Sequence, residues 1–202
     1  METIEKPTRK RAGGRGARER ILQAAAQLFY EQGINATGMA QLTSVASVST
    51  RTLYQHFAGK DALVEAYLGR FETDKSLAGE QALARADLAP RERLLAVFAV
   101  PPAGAALRGC PFHNAAVEVA DSLPRVRNLV AAHKQAFTSR LIETASEAGA
   151  AKPQDLGRQL AVLFEGAKAL ATSLNDPQPV RDARAVAVQL IDAATVLAAR
   201  GA

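Results

Sequence analysis

The sequence predicts an all-α protein of about nine helices, arranged in two helical domains. Ala, Leu, Arg and Glu dominate its composition and are strong helix formers, and no β-branched run reaches strand length. Apolar residues recur at helical spacing in successive segments, with glycines or prolines between the segments. The hydrophobic fraction of 48% is large enough to build a core, which argues against global disorder.

The first helix is expected over about residues 17–32, where apolar side chains form one stripe. Gly33 follows it and suits a left-handed cap. A second helix is expected over about 39–46, capped by Gly38 or Thr37. The side chains of this second helix that should turn inward are Leu42, Val45 and Ala46.

A turn at residues 47–49 separates the second helix from a third at about 50–56. Ser49 is a suitable cap for this third helix, which should bury Leu53 and Phe57. Three short amphipathic helices in this order predict a helix-turn-helix over residues 16–59, with a domain boundary near Gly59. Residues 60–202 then form the second helical domain.

The excess of positive charge in the chain lies in its first third. Residues 1–60 contain nine Lys or Arg and four acidic residues, which leaves +5, the net charge of the whole protein. Such asymmetry predicts a polyanion as the partner of this end. Residues 1–15 are expected to be a disordered basic arm, and Arg9, Arg11 and Arg15 are candidates to enter a DNA minor groove. The alternative is a frayed tail that adds only nonspecific attraction.

The third helix has the chemistry of a DNA-reading helix. An α-helix fits the major groove, where arginine pairs with guanine, glutamine with adenine, and threonine methyls with thymine methyls. The predicted base-reading residues are Thr50, Arg51, Thr52 and Gln55. The predicted phosphate contacts are Thr37, Tyr54, His56 and Lys60. Taken alone, a polar helix of this length could equally be a solvated surface.

The sequence gives no reason to expect an enzyme, a metal site or a cofactor. The three histidines lack metal-ligand spacing, and neither a nucleophile–base motif nor a phosphate-binding loop follows a strand. Cys110 is the only cysteine, so no disulfide can form within the chain, which suits a reducing cytoplasm. Neither a signal peptide nor a membrane-spanning stretch is recognisable, so we expect a cytoplasmic protein.

The residues from Arg20 to Leu63 closely resemble the N-terminal signature of TetR-family regulators. The most specific part is the run from Leu53 to Lys60, preceded by a first helix that ends in glycine. The resemblance implies a homodimer that binds a palindromic DNA operator, usually as a repressor, and is released by a small-molecule effector. Two departures concern the turn, where Ser47 replaces the usual glycine, and the second helix, where Thr43 replaces a small alanine and Gly38 its usual hydroxyl cap.

The second domain resembles the effector domains of that family in its helical plan. A compact segment from Gly109 to Asp121 mixes apolar and polar residues, as small-molecule sites do. The predicted pocket residues are Phe71, Cys110, Phe112, His113, Asn114, Val117, Phe137 and Phe164. For each of these residues an ordinary place in the core is the alternative. A redox role for Cys110 lacks a second cysteine in the chain.

The last two helices are predicted to pair with those of a second subunit, because a reader of palindromes must be a dimer. The predicted interface residues are Leu160, Phe164, Ala167, Ala171, Leu190, Ala194 and Leu197. Two alternative functions remain open: a constitutive dimeric DNA binder without an effector, and a small helical enzyme. A cavity of several hundred Å³ in the second domain would favour the ligand-responsive regulator.

Overall fold

The computed structural model describes residues 15–74, 77–102, 104 and 107–200, and all its regular structure is helical. The predicted all-α fold is therefore confirmed for this part of the chain. The ten helices are α1 (Arg15–Gln32), α2 (Met39–Val45), α3 (Thr50–His56), α4 (Lys60–Asp74), α5 (Ala78–Leu83), α6 (Pro90–Ala96), α7 (Pro111–Val119), α8 (Pro124–Glu147), α9 (Pro153–Leu174) and α10 (Gln178–Arg200).

Two compact units divide the chain, one ending at Tyr67 and the other beginning at Leu68. The division lies inside α4, whereas the sequence places it before this helix, at Gly59. The six-residue α5 is absent from the sequence-based assignment because so short a segment shows no helical period. None of the described helices is both long enough and apolar enough to cross a membrane.

The first unit is a small helical body around the apolar faces of its helices. Ile21, Leu42, Leu53 and Leu63 are fully buried, and the ring of Phe29 packs edge-on against that of Tyr67 at 5.4 Å. These buried side chains form the core that fixes the helix-turn-helix.

One residue of α2 departs from the prediction. Val45 is 47% exposed rather than inward, because α2 ends there and only Leu42 and Ala46 reach the core.

The turn between α2 and α3 has a well-defined helix-ending geometry. Ser47 is in the left-handed region at φ 50°, and its N–H donates to the carbonyl of Ser44 at 3.1 Å. The N–H of Val48 donates to the carbonyl of Thr43 at 3.0 Å, which completes a Schellman motif. Gly usually occupies this position because a Cβ is strained there. The turn thus exists as predicted, with serine in a glycine conformation.

The second unit is built on its three longest helices, α8, α9 and α10. Phe98, Leu141, Leu160 and Ile191 are fully buried in its core. Helices α8 and α9 approach closely where Gly157 faces Ile142. A Cβ at Gly157 would lie 2.4 Å from the Ile142 side chain and 2.7 Å from its backbone nitrogen. A glycine is therefore required for this packing.

The burial of residues in this core corrects the predicted dimer contacts. Leu160, Ala167 and Ala171 are buried in the core of their own subunit, with at most 6% exposure, so their prediction as interface residues is wrong. Phe164, Leu190 and Ala194 are half-buried against the same core. The stripe chosen from the sequence is the inward face, since periodicity identifies an apolar face without saying what covers it. The side chain of Leu197 lies outside the described residues.

Candidate DNA-binding face and ligand cavity

Helix α3 is positioned by a cap at its start and two apolar anchors. The Ser49 hydroxyl accepts a hydrogen bond from the N–H of Thr52 at 3.1 Å, as predicted for an N-cap. Leu53 and Phe57 are buried, as the sequence predicts, and fix the rotation of the helix. The guanidinium of Arg18 lies 5.3 Å from the centre of the Phe57 ring, which braces the end of α3 against α1.

The rotation of α3 leaves one continuous polar arc outside. Successive residues turn by about 100°, so Thr50, Tyr54, Arg51 and Gln55 follow one another around the helix, and all four are exposed. Three of these are predicted base readers. Tyr54, which we expected at a phosphate, stands between Thr50 and Arg51 in the middle of the arc. The arc carries hydrogen-bond donors of the kind that read base edges in the major groove.

The fourth predicted reader, Thr52, is at the edge of this arc and half-buried. Its hydroxyl shares a 2.8 Å hydrogen bond with the Ser49 hydroxyl, so its polar group is occupied within the cap. The methyl group of Thr52 is what remains for an apolar contact with a thymine methyl. His56 is half-buried on the same side of α3.

The predicted phosphate contacts differ in burial and in how their polar groups are bonded. The Thr37 side chain is fully buried and its hydroxyl donates to the carbonyl of Gly33 at 2.8 Å, so its prediction as a phosphate ligand is wrong. The hydroxyl instead closes the loop after α1. Lys60 is half-buried at the start of α4, where its ammonium donates to the carbonyl of Asn35 at 3.3 Å. Two of its three N–H donors remain for an anion.

Some predicted contacts belong to the basic arm. Arg9 and Arg11 lie outside the described residues, as does the side chain of Arg15. Within the described part, Arg20 uses its guanidinium structurally. It donates to the carbonyl of Ala46 at 3.1 Å and so satisfies the end of α2.

The second unit contains a cavity of about 370 Å³ with mainly apolar walls. Its aromatic wall consists of Phe98, Phe137 and Phe164, with ring centres of neighbouring pairs 5.3 and 5.9 Å apart. The other apolar groups come from α5, from the residues after α6 and from α10. A second cavity of about 240 Å³ shares Cys110 and Glu165 with the first. A volume of this size is in the range of sites for small molecules.

The predicted pocket residues are distributed over both cavities. Cys110, Phe137 and Phe164 line the larger one, whereas Cys110, His113, Asn114 and Val117 line the smaller one. Phe71 and Phe112 line neither of these two cavities. Phe112 is fully buried behind the cavity wall, and Phe71 packs edge-on against it at 6.2 Å.

A polar cluster occupies one end of the larger cavity, and most of it escapes prediction from the sequence. His133 is buried, and its Nδ1 lies 2.8 Å from Glu72 and 3.4 Å from Glu80. Lys134 donates to Glu165 at 2.5 Å and to the Cys110 sulfur at 3.6 Å. His133 lies on the apolar stripe of α8, where it is indistinguishable from a core residue. Charged groups of α4, α5, α8 and α9 become neighbours only in the folded unit.

The polar cluster changes the pKa values of Cys110 and His133. Burial favours the neutral thiol of Cys110, but a hydrogen bond with His133, the charge of Lys134 and the His113 backbone N–H together lower its pKa. Burial likewise favours the neutral imidazole of His133, but its bonds with Cys110 and Glu72 and the charge of Glu80 raise its pKa. Among the described residues, no cluster of His, Cys, Asp or Glu is arranged to hold a metal ion.

Two family models match the chain. Residues 21–67 match that of the bacterial regulatory proteins of the tetR family, and residues 90–187 match the tetracyclin repressor-like C-terminal domain. The transcriptional regulator UidR of Escherichia coli is 35% identical over 68 residues, and the activator FasR of Mycolicibacterium smegmatis is 37% identical over 79. These matches cover 34% and 39% of this chain, and about a third of the relatives' own length, 30% and 36%.

Solved structures extend the similarity to most of the chain. A TetR-family transcriptional regulator from Streptomyces coelicolor is 31% identical, with a TM-score of 0.77, over 89% of this chain and 96% of its own. The regulatory protein TetR from Rhodobacter sphaeroides has the same fold, at 22% identity and a TM-score of 0.75, over 86% of this chain and 98% of its own. The exposed face of α3, the family models and the structural match over most of the chain together lead to one conclusion: the chain belongs to the TetR family of DNA-binding transcriptional regulators.

Proposed function

We propose that the protein is a homodimeric repressor, which binds a palindromic operator and is released when a small molecule occupies the 370 Å³ cavity. The observation that carries the ligand response is this cavity. A domain that served only to dimerise would gain stability by filling such a volume. DNA binding itself follows from the family and from the exposed arc of α3.

Dimerisation is supported by apolar surface that a lone subunit leaves exposed. On α9, Val162 is 75% exposed and Leu170 is 55% exposed, and a Cβ at Gly166 would meet nothing within 4 Å. These residues share one face of α9, which lies beside the buried stripe. Val186 adds a 42% exposed side chain on α10. We propose this outward face as the dimer contact, in place of the inward residues predicted from the sequence.

Communication between cavity and DNA is proposed to run through α4. This helix begins at Lys60, in the DNA-binding unit, and reaches Glu72, whose carboxylate contacts His133 at the cavity cluster. A ligand that displaces the cluster would therefore act on the helix that follows the reading head. Such coupling requires only that the ligand prefer one position of α4.

The operator can be found by selection from a random double-stranded DNA library, followed by fluorescence anisotropy on the recovered sequence. We expect an inverted repeat bound by two subunits, and lower transcription of a reporter placed behind it. Increased transcription would instead make the protein an activator, as the name of FasR states for that relative. Recovery of no preferred sequence would overturn the proposal.

A screen of small molecules against the protein–operator complex tests the ligand response. We expect apolar compounds to release the DNA, and Phe137→Ala or Phe164→Trp to change the concentration needed. If no compound displaces the DNA or binds the cavity, the constitutive dimeric DNA binder becomes the better description.

A further inference from the structure

We propose that Cys110 is a nucleophile that captures α,β-unsaturated carbonyl compounds with an apolar tail, so that the cavity holds its effector through a thioether. The regulatory meaning of this inference rests on the proposed function, whereas the reaction at the thiol can be measured without DNA. It depends on the side chains of His133 and Lys134 and the backbone N–H of His113, which surround one sulfur, and on the cavity that this sulfur adjoins.

Cys110 precedes α7 and is common to the two cavities. Cys110 is half-buried and belongs to the wall of both. The backbone N–H of His113 donates to its thiol, and the ammonium of Lys134 is 3.6 Å from the sulfur. Donors of this kind stabilise a thiolate, which is the nucleophilic form of cysteine.

His133 is placed to take the proton of Cys110. Its Nδ1 faces the carboxylates of Glu72 at 2.8 Å and Glu80 at 3.4 Å, so this nitrogen carries a proton. The ring is also hydrogen-bonded with Cys110 and stacks on Phe112 with the ring centres 3.6 Å apart. A cysteine hydrogen-bonded with a histidine, which is in turn hydrogen-bonded with a carboxylate, is the arrangement that activates the nucleophile in thiol enzymes.

The charged groups around the sulfur are paired with one another, whereas the thiol has no carboxylate partner. Glu72 and Glu80 hold His133, and Glu165 pairs with Lys134 at 2.5 Å. The lowered pKa of Cys110 and the raised pKa of His133 agree with a shift of the proton from sulfur to imidazole.

The cavity defines the chemical class that reaches this thiol. Its aromatic wall of Phe98, Phe137 and Phe164 favours an aliphatic or aromatic tail, while the reactive carbonyl end would meet the polar cluster. Cys110 is the sole cysteine in the chain, so a second sulfur of the same subunit cannot resolve an oxidised form. An addition reaction needs no resolving thiol and no oxidant.

The reaction balances without a further reactant. His133 accepts the thiol proton, and the Cys110 thiolate attacks the β-carbon of the conjugated carbonyl. The carbon–sulfur bond forms while the carbon–carbon π bond breaks, and its electrons move into an enolate. The imidazolium of His133 returns the proton to the α-carbon. The net change is the addition of S–H across the double bond.

Intact-mass kinetics with trans-2-nonenal tests the thiol directly, because each chain offers one sulfur. We expect folded protein near pH 6.5 to form the single adduct at least about tenfold faster than the same chain unfolded in urea. The Cys110→Ala variant reports addition at other nucleophiles. A folded protein that reacts no faster than the unfolded chain would overturn the proposal, and this comparison needs no variant to fold.

The pH dependence of the alkylation rate of Cys110 tells whether His133 activates the thiol or only packs against it. With small, uncharged iodoacetamide as the probe, we expect His133→Gln to move the midpoint of the rate profile to higher pH, towards that of an ordinary thiol. Lys134→Gln should move it in the same direction by less, and Lys152→Gln, an exposed lysine after α8, should leave it unchanged. Circular dichroism confirms that each variant is folded. Identical profiles for wild type and His133→Gln would contradict the assignment of the base.

Operator release distinguishes failure of this inference from failure of the proposed function. Nonenal should release wild-type protein from the selected operator and leave Cys110→Ala bound. Equal release of both proteins would overturn covalent capture but retain a ligand-released regulator. Adduct formation without release would overturn the effector role of the thiol. If the protein selects no operator, the proposed function fails, and the thiol kinetics alone decide whether Cys110 is the nucleophile.

Discussion

Arg51 stands between Tyr54 and Gln55 on the exposed arc of α3, and it is the only cation there. Its fork of donors can pair with O6 and N7 of one guanine. We expect Arg51→Ala to weaken binding to the selected operator by about 1–3 kcal/mol and to relax the preference at one base position. Anisotropy titrations with operators altered one base pair at a time measure both effects.

Lys60 provides the matched comparison for Arg51. Its ammonium is held near the loop carbonyl of Asn35 at the start of α4, where a phosphate rather than a base would lie. Lys60→Ala should weaken binding to all sequences alike and reduce the slope of log affinity against log salt by about one unit. Unchanged discrimination in Arg51→Ala, or an unchanged salt slope in Lys60→Ala, would remove that residue from the DNA contacts.

Ser47 holds the turn between α2 and α3 in a conformation that favours glycine. Ser47→Gly relieves the contact of the Cβ with the backbone, and we expect a stability gain of about 0.5–1 kcal/mol in urea unfolding. The same substitution at Ser44, inside α2 and exposed, should cost roughly 0.5 kcal/mol because it only loosens a helix. A loss of stability in Ser47→Gly would mean that the turn depends on the serine side chain.

These residues also show what the sequence could predict. The caps at Gly33 and Ser49 and the turn at Ser47 follow from local rules, because each concerns hydrogen bonds within a few residues. The burial of Thr37 is different. A threonine before a helix is usually an exposed cap, but here its hydroxyl is needed to satisfy the carbonyl of Gly33 inside the loop. Only the folded loop distinguishes these two roles.

At the scale of the element, α9 has two apolar faces, and this explains the wrong interface residues. Leu160, Ala167 and Ala171 are covered by the subunit's own core, while Val162 and Leu170 remain outside. Helical periodicity detects the broader stripe and cannot tell an intramolecular from an intermolecular partner. The same limit applies to the cavity cluster, since Glu72, Cys110 and His133 are on three separate segments.

The close approach of α8 and α9 depends on Gly157. A methyl group there would press on the backbone of Ile142, which cannot turn aside as a flexible side chain would. We expect Gly157→Ala to destabilise the protein by about 1–3 kcal/mol, measured by urea unfolding. Gly69→Ala is the control, because it adds a Cβ in the middle of α4 with nothing within 4 Å and should be neutral or stabilising. Equal stability of the two variants would contradict the tight packing at Gly157.

On the scale of the whole molecule, the chain is two units whose division lies within α4. The sequence places the boundary before this helix because the glycine at position 59 interrupts the helical pattern there. The packing of α4 instead assigns its first turns to the DNA-binding unit. Leu63, Val64 and Tyr67 are buried with the first unit, so the first turns of α4 complete the core of the DNA-binding head. A reading head that ended at Gly59 would lack these side chains.

The proposed dimer is tested most directly at Leu170, which is 55% exposed in the outward face of α9. In a two-fold interface every substitution occurs twice, so Leu170→Glu would place two unpaired carboxylates in an apolar contact. We expect the dimer to weaken roughly 100-fold or more, as measured by light scattering and analytical ultracentrifugation. Affinity for the palindromic operator should fall with it, while circular dichroism stays unchanged. Ala131→Glu, on the exposed side of α8, adds the same charge outside the proposed interface and should remain dimeric. If Leu170→Glu has the same mass and operator affinity as Ala131→Glu, the subunits must pair through another face.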